Sequence, residues 1–213
     1  MLSSPFPHRA LWTAVEIDAP VRLINLYSPG RPQSFDDNFN HYATTPLLID
    51  NGKRIYESMV IMDYLDTKFG GGHLHRFDDP FETALVQFVR GKFTEKVFLN
   101  FMTQASPNAE EELHASLADY EWVWREQAKE FRAKGPFLLG DKLSAAEIYL
   151  MPFYLRCEIL FRHFRNGYEL LAKYPLLKAA LEATKQRPAF QETLSDTDEY
   201  YIQAAAHWFG AVP

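Results

Sequence analysis

Few side chains in this sequence stand where they could do chemistry, and most of them lie at helix starts. Ser4 places a hydroxyl directly before Pro5-Phe6, with Arg9 one turn further on. Glu57-Ser58 open a second helix, whose apolar face is Ile61, Met62 and Leu65. The first N–H groups of a helix have no partner inside it, so such a start offers donors and partial positive charge to an anion. The same residues also read as plain N-caps, because Ser is preferred there without any ligand. His73-x-His75 has the spacing of a metal-ligand pair. It lies in a glycine-rich stretch with no cysteine nearby and reads as solvated loop histidines, not as a metal site. Glu110-Glu111-Glu112 is the acidic first turn of a helix. Cys157, the single cysteine, falls on an apolar stretch and reads as a small buried hydrophobe.

The elements that must position these groups divide the chain in two. Residues 7–16 carry Leu11, Trp12 and Val15 at helical spacing, and residues 21–26 (VRLINL) form a β-rich run bounded by Pro20 and Ser28-Pro29-Gly30. After an excursion, Leu47–Asp50 and Lys53–Tyr56 flank Asn51-Gly52, the pair a type I′ hairpin turn requires. Thr45-Pro46 at the strand start suits a cis bond, which would expose Thr45's backbone to a peptide ligand; an ordinary trans proline is the alternative. The order is βα-ββα without its opening strand. Gly70-Gly71-Gly72 then makes a flexible joint.

From Asp79 onward the texture is helical throughout. Asp79-Pro80-Phe81-Glu82 and Ser144-Ala145-Ala146-Glu147 are capping boxes, the second ahead of an apolar stretch over residues 148–161. Ser106-Pro107 starts a long helix carrying Leu113, Leu117, Tyr120, Trp124, Ala128 and Phe131, which Gly135-Pro136 stops. A further helix fits residues 176–186, and Asp196, Asp198 and Glu199 suit the start of a last one.

Composition excludes several classes of function. The 213 residues hold 22 Lys+Arg against 28 Asp+Glu, a net charge of −6, so neither nucleic acid nor an anionic membrane is an expected partner. With 47% apolar residues the chain can bury a core, and no apolar run is long enough to span a bilayer. One cysteine leaves no disulfide framework and no cysteine-rich zinc site. A soluble, cytoplasmic globular protein is expected.

Three motifs together resemble the soluble glutathione transferase superfamily, in its serine-type, tau/omega-like form. They are Ser4-Pro5-Phe6 with Arg9; Thr45-Pro46-Leu47-Leu48-Ile49-Asp50 through Asn51-Gly52 to Tyr56-Glu57-Ser58 and Ile61-Met62-Asp63-Tyr64-Leu65; and Phe137-Leu138-Leu139-Gly140-Asp141 to Ser144-Ala145-Ala146-Glu147. The resemblance implies an α/β thioredoxin-like N-terminal domain over residues 1–72, binding glutathione, and an all-α helical domain over residues 79–213. Only Met1-Leu2-Ser3 stand where it implies an opening strand, so that strand is short or missing.

The resemblance also implies the chemistry. Ser4 would stabilise the glutathione thiolate, while Thr45, Pro46, Glu57 and Ser58 bind the tripeptide. An apolar electrophile would enter beside Phe6, Trp12, Tyr120 and Trp124. Glutathione is then a co-substrate, no metal takes part, and the protein is a homodimer. A catalytically silent scaffold subunit with a protein partner is the alternative reading, and a ligand carrier is a third. Two departures favour the silent reading: the short or missing opening strand and Thr44. Many members carry a lysine two residues before the cis-proline, where Thr44 stands here. Losing that charge-assisted bond, ~1.5–3 kcal/mol, lowers affinity by one to two orders of magnitude unless Arg9 or His41 substitutes.

Overall fold

The computed structural model describes residues 3–26, 33–194 and 197–209. Helix α1 (Pro5–Glu16) begins on Pro5, whose fixed φ suits a first helical position. It buries residues on more than one face: Trp12 with His8 and Arg9, and Ala10 with Ala14. A short helix α2 (Gln33–Asn38) lies in the excursion that sequence left without an element.

Strands β1 (Leu47–Asp50) and β2 (Lys53–Tyr56) pair antiparallel, Leu47 opposite Tyr56 and Asp50 opposite Lys53. Asn51 and Gly52 take φ of 48° and 75°, the left-handed pair that a type I′ turn needs. Tyr64 and Lys68 of helix α3 (Ser58–Phe69) both reach the Asp50 carboxylate and tie the hairpin to that helix. The β-rich run at residues 21–26 is not a strand. It is irregular and exposed, with Leu23 and Ile24 each 61% accessible. Propensity does not make a strand without a neighbour to complete the hydrogen-bond ladder, and none of the described residues supplies one. Met1-Leu2, the Ser28-Pro29-Gly30 boundary and Asp196 lie outside the described residues.

The glycine-rich joint is a pinned turn, not a flexible one. The Asp66 carbonyl accepts from Gly70 and Gly72 N–H, and the Asp66 carboxylate accepts from Leu74 and His75 N–H. The chain continues into α4 (Pro80–Lys92), α5 (Lys96–Thr103) and α6 (Ala109–Trp122). The long helix expected up to Phe131 ends early: α6 passes into a π-helical turn at Val123–Gln127, although every apolar position of its stripe is buried as the spacing requires.

Helix α7 (Ala145–Phe164) is the hub. It is buried along most of its length and touches α1, α4, α5, α8 (Pro175–Lys185) and α10 (Asp198–Phe209). The short α9 (Pro188–Glu192) closes over α1, with Phe190 stacked on His8 and edge-on to Trp12. A small sheet carried by helices, followed by an all-helical part, is the thioredoxin-like plus all-α architecture that the motifs imply.

Candidate functional site

Helices α1 and α3 are each 12 residues long and pack on one another. Ala10 and Ala14 share an apolar cluster with Ile61 and Leu65. At the far end, the Ile17 side chain lies 3.2 Å from where a Cβ on Gly70 would stand, so the two C-termini are neighbours. With Ala10 and Ala14 packed on Ile61 and Leu65 and the C-termini neighbours, the two helices run in the same general direction. Ser4 and Glu57-Ser58 therefore mark one end of the pair, where both dipoles present their positive poles.

At that end the polar groups are open. Ser4 is half-buried, with extended φ and ψ of −82° and 136°, and its side chain caps nothing. Glu57 holds φ at 65°, and its carbonyl accepts from Ile61 N–H at 2.9 Å, which leaves the first N–H groups of α3 without helical partners. Ser58 is buried, and its hydroxyl makes no hydrogen bond to the described residues. The Thr45–Pro46 bond is cis, as its position at the strand start suggests.

The segment leading into Ser4 is held from behind. Arg156 donates from Nε to the Ser3 carbonyl at 2.6 Å and from Nη1 to the Pro152 carbonyl and His8 Nδ1, at 2.8 and 3.0 Å. The Thr193 hydroxyl donates to the Phe190 carbonyl, so His8 must donate from Nε2 to Thr193 and keep Nδ1 as the acceptor. Burial, then the neighbouring Arg156, holds the His8 pKa well below its usual value, in agreement with that neutral tautomer. Burial likewise lowers Arg156 to about 10. Sequence did not single out Arg156, although an arginine inside the apolar stretch of α7 was a readable signal.

Arg9 fills the junction between α1 and α7. Its Nε donates to the Tyr149 carbonyl at 2.7 Å, and its guanidinium carbon sits 3.6 Å from the Tyr149 ring centre. The Phe6, Phe93 and Phe153 rings complete the cage, and Glu95 is 3.6 Å from Nη1. Burial pulls its pKa down to about 10, against the raising effects of Tyr149 and Glu95.

Comparison with known proteins gives the family of the chain. The model of the glutathione S-transferase N-terminal domain matches residues 3–68, and that of the C-terminal domain matches residues 87–193. The chain belongs to the glutathione S-transferase family. Glutathione S-transferase L1 of Arabidopsis thaliana is 29% identical over 185 residues, covering 85% of this chain and 73% of that one. Glutathione transferase Omega 3C of Trametes versicolor superposes with a TM-score of 0.74 at 27% identity, over 97% of this chain and 86% of that one. A trimeric glutathione transferase of Leishmania superposes with a TM-score of 0.84 at 23% identity; this chain is covered to 97% but spans only 47% of that protein.

Within this transferase fold, the remaining residues fall into two groups. Phe6 is exposed at the junction and stacks edge-on against Phe153 at 5.2 Å, beside the helix start that Ser4 marks. Trp12, Tyr120 and Trp124 are enclosed in the main core instead. Trp12 donates to Glu16 at 3.1 Å, and burial pushes the Tyr120 hydroxyl pKa far up. Arg9, a candidate replacement for the lysine absent at Thr44, is committed to the Tyr149 cage, while His41 is exposed beside Tyr42.

His75 departs furthest from its expected role. It is fully buried, with Nδ1 2.5 Å from Asp66 and Nε2 2.7 Å from Asp63, the latter too bent for a good hydrogen bond. His73 alone is the exposed loop histidine. Among the described residues no three His, Cys, Asp or Glu side chains form a metal-holding group. Cys157 is buried, and burial raises its thiol pKa far above the reactive range. No described helix is long and apolar enough to cross a membrane.

Proposed function

We propose that the protein binds glutathione at the common start of α1 and α3 and activates its thiol for attack on an apolar electrophile. The observation that carries this reading is the pair of hydroxyls, Ser4 and Ser58, which make no hydrogen bond to the described residues and open two helices that pack together. Ser58 and the first-turn N–H groups of α3 receive the γ-glutamyl carboxylate beside Glu57, and the tripeptide backbone lies along Thr45–Pro46. Its sulfur comes to Ser4. A free thiol with a pKa ~8.5 is only a few per cent ionised at pH 7. A donated Ser4 hydrogen bond and the α1 dipole favour the thiolate, and the thiol proton leaves to solvent. The sulfur lone pair forms the new C–S bond while the electrophile's leaving group departs with its electron pair. The protein supplies position and electrostatics and forms no covalent bond to either reactant. The electrophile meets Phe6 and Phe153 at the domain junction. A homodimer in the cytoplasm completes this reading.

One observation favours the silent alternative, in which the fold serves as an interaction module: Thr44 carries no charge, and Arg9 is turned into the core. Calorimetric titration of glutathione decides between the two. Binding at micromolar to millimolar levels, weakened by Ser58→Ala, supports the transferase. A folded chain that gives no heat at several millimolar glutathione assigns the protein to the interaction class.

A further inference from the structure

The two helix starts of the glutathione reading are not equal as anion acceptors. In α3 the first three helical positions are Ser58, Met59 and Val60, and each carries an N–H. None of these has a partner inside the helix, because the helical bonds begin with Ile61 N–H on the Glu57 carbonyl. In α1 the same three positions are Pro5, Phe6 and Pro7. Proline has no N–H, so of the three only Phe6 can donate. Pro5 suits a first helical position, where its fixed φ is preorganised; Pro7 removes a second donor from the same turn.

The two arginines packed around α1 do not restore what the prolines remove. Arg9 spends its Nε on the Tyr149 carbonyl, and its Nη2 is sealed from solvent. Arg156 donates to the Ser3 carbonyl, behind the helix start. The first turn of α1 therefore offers the Phe6 N–H and the Ser4 hydroxyl, where α3 offers its full set of N–H groups and the Ser58 hydroxyl. Donor number decides what kind of anion each start can hold. A carboxylate or a sulfonate spreads its charge over two or three oxygens, and each needs hydrogen bonds once water is stripped away. A thiolate holds its charge on one atom, which two donors can satisfy.

We propose that Pro7 is a specificity-determining residue. By thinning the donors at α1 it fits the Ser4 end to the reduced thiol of glutathione and rejects the sulfonate, in which the same sulfur carries three oxygens. The inference rests on the glutathione reading and adds a selection to it. Oxidation of a thiol to the sulfonate is irreversible, so the rejection keeps spent ligand out of the site.

The full chain is titrated calorimetrically with glutathione, with glutathione sulfonate and with S-methylglutathione, whose sulfur carries no charge. The wild type binds glutathione about tenfold more tightly than the sulfonate. Pro7→Ala returns an N–H to the third position and tightens the sulfonate about tenfold, while S-methylglutathione stays within about twofold. Pro7→Val gives the same gain, because the N–H and not the new side chain makes the bond. Circular dichroism confirms that each variant folds. A wild type that binds the sulfonate as tightly as glutathione overturns the proposal. So does sulfonate affinity unchanged in both Pro7 variants while glutathione still binds. If none of the three ligands binds the folded wild type, the glutathione reading itself fails and takes this inference with it.

Discussion

Two helices of this protein start with the same pattern, a polar residue followed by Pro-Phe, and the two starts are built differently. At α4, Asp79 accepts from Phe81 and Glu82 N–H at 2.8 and 3.0 Å, so its side chain is used up in ending the helix. At α1, Ser4 also has an extended backbone, but its side chain caps none of the first N–H groups. Residue type is not the cause: Ser144 at α7 does cap, accepting from Ala146 N–H at 3.2 Å while Glu147 reaches back to the Ser144 N–H. What differs is the chain behind Ser4, whose Ser3 carbonyl is clamped by Arg156. A capped start and an open start look alike in sequence, and only the open one has a hydroxyl to offer a ligand.

The strongest way to sharpen that contrast is to damage the fully capped end. Glu147 is buried and accepts from Leu138 N–H at 2.7 Å, Ser144 N–H at 3.0 Å and the Ser144 hydroxyl at 2.7 Å. Glu147→Ala strands these donors in the core and is expected to destabilise the fold by about 3 kcal/mol in denaturant titration. Ser4→Ala should behave in the opposite way. Stability changes by less than about 0.5 kcal/mol, because no cap bond is lost, while conjugation of an aryl halide falls at least tenfold. An unchanged rate would remove Ser4 from the chemistry. Asp79→Ala, the matched control, is expected to lower stability through the lost cap and to leave activity unchanged. Ser58→Ala completes the set, with glutathione affinity lowered about fivefold and the melting temperature unmoved.

Local grammar was legible in the sequence where the deciding partners were a few residues apart. Asn51-Gly52 specifies its turn by its own backbone preferences, and the boxes at Asp79 and Ser144 close within three residues. Ser4 and Ser58 were legible as helix starts, though their emptiness was not, since that is a fact about the surroundings. What sequence missed depends on distant partners. Residues 21–26 have strand composition but no ladder neighbour among the described residues. Arg156 and Arg9 looked like a charge in an apolar run and a helix residue; their partners Ser3 and Tyr149 lie 153 and 140 positions away. Three glycines suggested slack, yet the turn is drawn tight by Asp66, which the glycine pattern could not announce.

That tight turn yields the subtlest test, because it joins the two halves by ionisable groups. His75 sits between Asp66 and Asp63 of α3, and Arg90 of α4 donates to Asp63 at 2.6 Å. Burial alone would lower the His75 pKa, and Arg90 adds to that, but Asp63 and Asp66 outweigh both and raise it. Burial would raise the two aspartates, but the His75 bond to Asp66 and the close His75 and Arg90 cations on Asp63 bring them below their usual range. A raised histidine contributes in full below its unfolded value, ~6.5, and the contribution fades as pH climbs through the folded value. The lowered aspartates contribute above ~3.8 and lose their share as pH falls through their folded values. The joint should therefore be firmest between about pH 4 and 6.5 and loosen on the alkaline side. In thermal melts, the wild type should lose stability between pH 6 and 9 more steeply than His75→Gln, which has no proton to give up. Parallel profiles would mean that His75 is held neutral and that packing and backbone bonds alone secure the turn.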